Sequence, residues 1–186
     1  PSMPVTFWGD DDMARHRNPN IEPSPAVMRF GDWVRYTEHT PSLDTGRSAA
    51  TPNRRGVGIG TAEIYRIVEQ MPEVADSLVV HLEDPDGGMG QLVLLVQPAH
   101  PGSDEHVLDE ELVAAIRSAL RSALSPRHVP DRIVGVGGVP RNLTGKKLEL
   151  PVKRILQGAD VASVVSRQAM ANPEALDDCL AAVQGH

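Results

Sequence analysis

Two adjacent lysines, Lys146 and Lys147, follow Gly145 in a segment whose composition is typical of a polar turn. A lysine on a glycine-containing turn can bring a positive charge to a phosphate or a carboxylate, where it stabilises negative charge that develops during a reaction. A lysine pair at a turn is also common on solvated surfaces. The local sequence is compatible with both interpretations.

Two polar residues nearer the N-terminus could contact a nucleotide. Asp32 follows Gly31 in aromatic surroundings, and an aspartate at a strand end can accept hydrogen bonds from two ribose hydroxyls. Arg47 lies between Gly46 and Ser48, where its guanidinium could bridge ribose or phosphate oxygens. The structural alternatives are a turn aspartate and an arginine in a surface ion pair.

Residues 44–65 connect these candidates to the more regular part of the chain. The segment is polar at first, then contains Pro52 and several glycines, and ends where an apolar-periodic helix begins at Thr61. Glycine can adopt a positive φ and lets another backbone or a ligand approach closely. The pattern predicts a flexible, cationic joint between two unlike halves of the chain. An ordinary surface loop before a helix is the alternative.

From Gly60 onward, apolar residues recur at helix and strand spacing. The predicted elements are a helix at 61–71 capped by Thr61, strands at 74–82, 91–97 and 131–136, and helices at 108–124 and 152–157. The first two strands should form a hairpin, and the continuous apolar run at 91–97 predicts a strand buried on both faces. Asn172-Pro173 predicts a short terminal helix. The order indicates a small α+β domain whose three-stranded sheet is covered by helices.

Composition narrows the classes of function. The 186 residues include 40% hydrophobic but 3% aromatic residues, so the core should be aliphatic. The net charge of −7 argues against nucleic acid as a partner. No apolar run approaches the roughly 18 residues of a membrane helix, and Pro1-Ser2-Met3-Pro4 does not resemble a signal peptide. We therefore expect a cytoplasmic protein without a membrane partner.

Cysteine and histidine usage argues against metal and thiol chemistry. Cys179 is the only cysteine, so no internal disulfide can form and a reducing compartment is expected. It has no basic neighbour in the sequence that would favour a catalytic thiolate. The 7 histidines are scattered and match no zinc-site spacing. The sequence therefore predicts no metal site.

Taken in order, the motifs are more specific than any one of them alone. The succession resembles the adenylate-forming superfamily of acyl-CoA synthetases, peptide-synthetase adenylation domains and luciferases. It consists of Gly31-Asp32, Gly46-Arg47-Ser48, a glycine-rich segment at 56–64 and Thr144-Gly145-Lys146. Within the superfamily the chain is most similar to the acetoacetyl-CoA synthetase family. The segments that carry this similarity are 3–10, 29–33, 60–70, 124–130, 145–147 and 171–176.

The resemblance implies a division of the chain. It would be the C-terminal part of a longer enzyme, whose upstream large adenylation domain is the expected partner. Residues 1–47 would be the last segment of that domain, 48–60 a hinge and glycine-rich loop, 61–158 the small C-terminal domain, and 159–186 a tail with a short helix. Because the family's phosphate-binding loop and acyl pocket lie upstream, this part alone is expected to be inactive.

The resemblance also implies a two-step ligase reaction. A carboxylate, here acetoacetate, attacks the α-phosphate of ATP and gives an acyl-adenylate and diphosphate. The small domain then rotates, and the thiol of coenzyme A displaces AMP. The expected cofactors are ATP and coenzyme A, with Mg²⁺ accompanying ATP but with no ligand in this chain.

Individual roles follow by position in the family's motifs. Lys146 would be the adenylation lysine, because the family's lysine directly follows the glycine. Asp32 would hold the ribose hydroxyls, and Arg47 would contact the ribose and phosphate region. Gly56 would line the coenzyme A tunnel. Ser48 and Ala49 would form the hinge.

Two positions of the joint differ from the family. The family usually has an acidic residue where this chain has Ala49, and an arginine where it has Gly58. Both differences remove charge from the joint. They favour an alternative function, a non-catalytic stand-alone binding or interaction module derived from such a domain.

Overall fold

The computed structural model describes the backbone of four short N-terminal strands and most of the chain from residue 59. The described residues are 32–35, 43–47, 53–54, 57–58, 59–84, 86, 88, 90–100 and 107–185. Strand β1 (Asp32–Arg35) pairs antiparallel with β2 (Leu43–Arg47). Strand β3 (Asn53–Arg54) pairs antiparallel with β4 (Val57–Gly58).

A three-stranded sheet forms the centre of the domain, as the sequence predicts. Its order is β5 (Val74–Leu82), β6 (Gln91–Pro98) and β7 (Arg132–Gly135). The predicted hairpin is confirmed, since β5 and β6 are antiparallel, whereas β6 and β7 are parallel. Parallel neighbours need a crossover connection, and helix α2 lies within it.

Five α-helices accompany the sheet in the described part of the chain. They are α1 (Thr61–Val68), α2 (Glu110–Ala123), α3 (Glu149–Leu156), α4 (Val161–Val164) and α5 (Pro173–Gln184). Short 3₁₀ turns occupy Pro126–His128 and Arg167–Ala169. Helix α2 is capped by Asp109, whose side chain accepts a hydrogen bond from the backbone of Glu111 at 2.8 Å.

The predicted cap of α1 is wrong. Gly60 occupies the N-cap position without a side-chain hydrogen bond, and Thr61 is the first helical residue. Thr61 is buried together with Ile64 and Val68, which follow it at helical spacing. Its side chain therefore belongs to the apolar stripe that faces the core.

Both faces of the sheet are packed. Strand β6 confirms the expectation of burial on two sides, because its residues from Leu92 to Val96 are 0% exposed. Leu92, Leu94 and Val96 pack with α1 and α2, whereas Val93 and Leu95 pack with α3 and α5. The alternation follows from the two-residue repeat of a strand.

The terminal helix α5 belongs to this core. Its buried residues are Ala175, Leu176, Cys179, Ala182 and Val183. Burial, followed by the charge of Asp178, raises the pKa of the Cys179 thiol to about 12. The thiol is therefore a small core group and is protonated at neutral pH. No helix in the described part of the chain is both long and apolar enough to cross a bilayer.

Candidate functional site

Lys146 lies on a turn, residues 142–146, that we call the lysine turn. The Asn142 Oδ1 atom accepts hydrogen bonds from the Thr144 backbone at 3.0 Å, the Thr144 hydroxyl at 2.8 Å and the Lys146 backbone at 2.9 Å. Gly145 has a φ of 79°, a conformation that glycine adopts without strain. One asparagine side chain and one left-handed glycine thus define the shape of the turn.

Arg141 holds the same turn from its other side. Its Nη1 atom donates to the Gly145 carbonyl at 2.5 Å, while Nε and Nη2 donate to Asp76 Oδ2 at 3.1 and 2.6 Å. The peptide group between Gly145 and Lys146 is therefore hydrogen-bonded at both polar atoms, its oxygen by Arg141 and its nitrogen by Asn142. This fixes the plane of the peptide from which Lys146 extends.

Lys147 is fully engaged inside the domain. Its ammonium donates to the Ser77 carbonyl at 2.6 Å, lies 2.9 Å from Asp76 Oδ1 and also contacts the Glu69 carboxylate. The same nitrogen lies 4.0 Å from the centroid of the Tyr65 ring, within cation–π distance. With 14% of its side chain exposed, Lys147 serves as a structural cation.

Lys146 has the opposite environment. Lys146 is exposed, and its side chain makes no hydrogen bond or ion pair with the other residues that the structure describes. The isolated bridge between Arg141 and Lys147 explains the contrast, because successive residues of extended backbone point to opposite sides. Of the two lysines, only Lys146 presents an ammonium that can meet a ligand.

Asp76 connects this region to the sheet through both cations. Burial alone would raise the pKa of Asp76, but the hydrogen bonds from Lys147 and Arg141 outweigh burial and hold the pKa below its ordinary value. Asp76 is therefore ionised at neutral pH. It belongs to β5, so the lysine turn is anchored on the core.

Tyr65 supports the same region from α1. Its hydroxyl donates to Glu149 Oε1 at 2.7 Å and accepts a hydrogen bond from the Val79 backbone at 3.0 Å. Burial and then the neighbouring charge of Glu149 raise the pKa of Tyr65 well above its ordinary value. The neutral phenol thus links α1, β5 and α3.

The segment before α5 also holds the lysine turn in place. Sequence reasoning missed this contact. The Asn172 side chain accepts a hydrogen bond from the Arg141 backbone at 2.9 Å and donates to the Val139 carbonyl at 2.9 Å. The Leu143 backbone donates to the Ala169 carbonyl at 3.1 Å. Asn172 suggested only a helix cap in the sequence, but its side chain does not cap α5.

The predicted nucleotide residues lie in the first strand pair. Asp32 of β1 and Arg47 of β2 are direct register partners. The predicted hinge residues Ser48 and Ala49 and the predicted tunnel residue Gly56 lie outside the described residues.

Among the described residues, the candidate site is an exposed turn. A surface pocket of about 580 Å³ lies between the ends of α1 and β6 and the start of α2, lined by Met71, Pro98, Leu108 and neighbouring residues. Lys146 does not line this pocket. Within the described residues, no group of three His, Cys, Asp or Glu side chains could hold a metal ion.

Comparison with known proteins reveals close relatives of greater length. No protein-family model matches the chain. The acetoacetyl-coenzyme A synthetase of Rhizobium meliloti is 43% identical over 177 residues, which are 95% of this chain and 26% of that protein. The acetoacetyl-CoA synthetase of Gallus gallus is 38% identical over 178 residues, again 95% of this chain and 26% of that protein. The chain thus spans about a quarter of the length of these curated relatives.

Solved structures agree in fold. The acetoacetyl-CoA synthetase from Streptomyces lividans matches with a TM-score of 0.82 and 38% identity, over 100% of this chain and 27% of that one. A benzoate CoA ligase from Burkholderia xenovorans LB400, 22% identical over 80% of this chain and 27% of its own, has a TM-score of 0.59 and shows the fold alone. The α+β fold, with its three-stranded sheet, is that of the C-terminal domain of adenylate-forming enzymes. This chain corresponds to the C-terminal portion of the acetoacetyl-CoA synthetases, a family of the adenylate-forming superfamily.

Proposed function

We propose that this chain is the C-terminal part of an ATP-dependent ligase that converts acetoacetate and coenzyme A into acetoacetyl-CoA. The observation that carries the proposal is the contrast between two neighbouring lysines. Lys147 is engaged by Glu69 and Asp76, whereas Lys146 extends from a peptide that is hydrogen-bonded on both sides. An ammonium that has no partner among the described residues, on a backbone that is held in place, suits electrostatic stabilisation of a transition state.

The first step is acyl-adenylate formation. A carboxylate oxygen of acetoacetate forms a bond to the α-phosphorus of ATP as the bond to the departing diphosphate breaks. Negative charge develops on the oxygens around that phosphorus. In the proposal, the Lys146 ammonium lies between the carboxylate and the α-phosphate and stabilises this charge.

The nucleotide would be held by Asp32 and Arg47. In an antiparallel pair, residues at opposite register positions share one face, so the pairing of these two residues supports a common site. Asp32 would accept hydrogen bonds from the ribose hydroxyls, and Arg47 would contact the ribose and phosphate oxygens. Mg²⁺ would accompany ATP, and the described residues contain no ligand cluster for it.

The second step requires the small domain to rotate. Residues 61–158 would turn about Ser48 and Ala49, within the hinge and loop at 48–60, relative to a large domain that ends with residues 1–47. Gly56 would then face coenzyme A, whose thiol attacks the acyl carbon and releases AMP. Residues 159–186 would move with the small domain, which is supported by the packing of α5 in its core.

An upstream large domain is part of the proposal. The relatives are about four times as long as this chain, and in the proposal the missing portion supplies the acyl pocket and the phosphate-binding loop. The residues of this chain alone would therefore not catalyse adenylation.

The test is acetoacetate-dependent exchange of labelled diphosphate into ATP, measured on the full-length protein. Lys146→Ala should lower the rate at least ~100-fold, as expected for loss of one transition-state charge contact. Lys153→Met is the matched control, because Lys153 pairs with Glu83 away from the turn and its variant should keep the rate. Full exchange activity in Lys146→Ala would overturn the assignment.

A non-catalytic interaction module remains the second candidate, favoured by the uncharged residues Ala49 and Gly58 in the joint. The two hypotheses predict reading frames of different length. A reading frame that starts near Pro1 would support the module, whereas several hundred upstream codons and acetoacetate-dependent exchange would support the ligase.

A further inference from the structure

Arg141 occupies a special place beside the lysine turn. Its guanidinium bonds in two directions at once, to Asp76 on β5 and to the Gly145 carbonyl in the turn. Arginine can do this because its donors lie in a planar fork. A lysine at this position has a single ammonium and could not reproduce both contacts in the same geometry.

The contact to Gly145 bears directly on Lys146. The accepting oxygen belongs to the peptide whose nitrogen is that of Lys146, and this nitrogen is held by Asn142. Rotation of the peptide would break both hydrogen bonds and would redirect the Lys146 side chain. Gly145 itself offers little resistance, because a glycine has no Cβ that would restrict its backbone torsions.

We propose that Arg141 is a positioning residue for the adenylation half-reaction, with Asp76 as its anchor on the sheet. Arg141 touches no substrate in this scheme. It fixes the Gly145–Lys146 peptide so that the Lys146 ammonium meets the α-phosphate without a search over turn conformations. The inference rests on the proposed function, since it assigns to Arg141 an effect that is exerted only through Lys146.

The two half-reactions separate this role from a general effect on folding. The full-length protein is assayed for acetoacetate-dependent diphosphate exchange and, separately, for thioester formation from chemically prepared acetoacetyl-adenylate and coenzyme A. Arg141→Lys should lower the exchange rate by about tenfold to a hundredfold, the size of effect that misplacement of a reacting group by about 1 Å produces. Thioester formation should stay within about twofold of wild type, because Lys146 acts only in the first step.

A second variant and a control distinguish the positioning role from an effect of misfolding. Asp76→Asn removes the anchor by a different change and should lower exchange in the same direction. Lys153→Met again serves as control, because it breaks the ion pair of Lys153 in α3 with Glu83, the residue that follows β5, and it should leave both rates unchanged. An equal fall of both half-reactions in Arg141→Lys and Asp76→Asn would show a structural role and overturn the inference.

A double variant gives the sharpest test. If Arg141 acts through Lys146, then Arg141→Lys should have no further effect on exchange in a protein that already carries Lys146→Ala. Additive losses would overturn the inference. Full activity of Lys146→Ala would overturn the proposed function together with the inference, whereas a large loss there and none in Arg141→Lys would overturn the inference alone.

Discussion

Two nitrogens of the Arg141 guanidinium contact one carboxylate oxygen of Asp76, at 2.6 and 3.1 Å, although the two residues lie 65 positions apart. The contact joins the first strand of the main sheet to the lysine turn. Lys147 binds the other oxygen of the same carboxylate at 2.9 Å. A single half-buried acid thus contacts both ends of the segment that carries Lys146.

Replacing Lys147 should destabilise the domain. Lys147→Met leaves Glu69 without this partner and removes one of the two cations that contact Asp76. It also removes the cation beside the Tyr65 ring. We expect the free energy of unfolding to fall by about 1–3 kcal/mol, measured by urea denaturation. Lys146→Ala should change it by less than about 0.5 kcal/mol, because Lys146 is exposed. Equal effects of the two substitutions would contradict the assigned difference.

Stability should depend on the protonation of Asp76. Its pKa in the folded protein is lowered, because the hydrogen bonds from Lys147 and Arg141 outweigh the burial that would raise it. The unfolded chain therefore binds this proton more tightly, so protonation favours unfolding. The contribution is complete above the ordinary aspartate pKa of about 4 and disappears as the pH falls through the lower pKa of the folded state.

The measurement compares wild type with Asp76→Asn. Urea unfolding at successive pH values from neutral to acidic should show a steeper loss of stability in the wild type. If both proteins lose stability in parallel, Asp76 does not carry the expected linkage.

Two glycines with positive φ should differ in their tolerance of alanine. Gly90 has a φ of 63°, and a Cβ there would lie 2.4 Å from the Leu82 carbonyl oxygen. Gly145 has a φ of 79° but open space around it. Gly145→Ala should lower the free energy of unfolding by about 1–2 kcal/mol, because alanine is strained at a positive φ. Gly90→Ala should lower it further, because a steric clash adds to the same backbone strain. Thermal unfolding would show the order, and a larger loss for Gly145→Ala would contradict it.

Removing the Tyr65 hydroxyl should weaken the contact between α1 and its neighbours. Tyr65→Phe keeps the ring beside Lys147 but loses the hydrogen bonds to Glu149 and from the Val79 backbone. We expect the free energy of unfolding to fall by about 1–3 kcal/mol, since the buried N–H of Val79 is left without its acceptor. Chemical denaturation measures the loss, and an unchanged midpoint would argue that water replaces the hydroxyl.

The sheet could be predicted from sequence because its signals are local. The bounds of β5 match the predicted strand at 74–82, and β6 exceeds the predicted strand by one residue, Pro98. Both follow from continuous apolar and β-branched runs that end at turn residues. The error at Thr61 arose because a threonine before an apolar stripe suggests a cap, whereas this one is part of the stripe.

The local sequence could not separate the two lysines. They are neighbours of the same type, and the partners of Lys147 lie 70 and 78 positions away at Ser77 and Glu69. Only the fold shows which lysine is engaged. Asn172 was missed for the same reason, since its partners Arg141 and Val139 lie 31 and 33 positions earlier.

The dependence of the lysine turn on Asn172 has a consequence for the order of folding. The β5–β6 hairpin needs contacts between residues that are close in sequence, whereas the turn needs both β5 and the segment before α5. Contacts that close long loops form late. During synthesis the hairpin can form while the ribosome still holds the rest of the chain, but the turn must wait until Asn172 has emerged. We therefore expect the segment that carries Lys146 to be among the last parts of the domain to acquire its native shape.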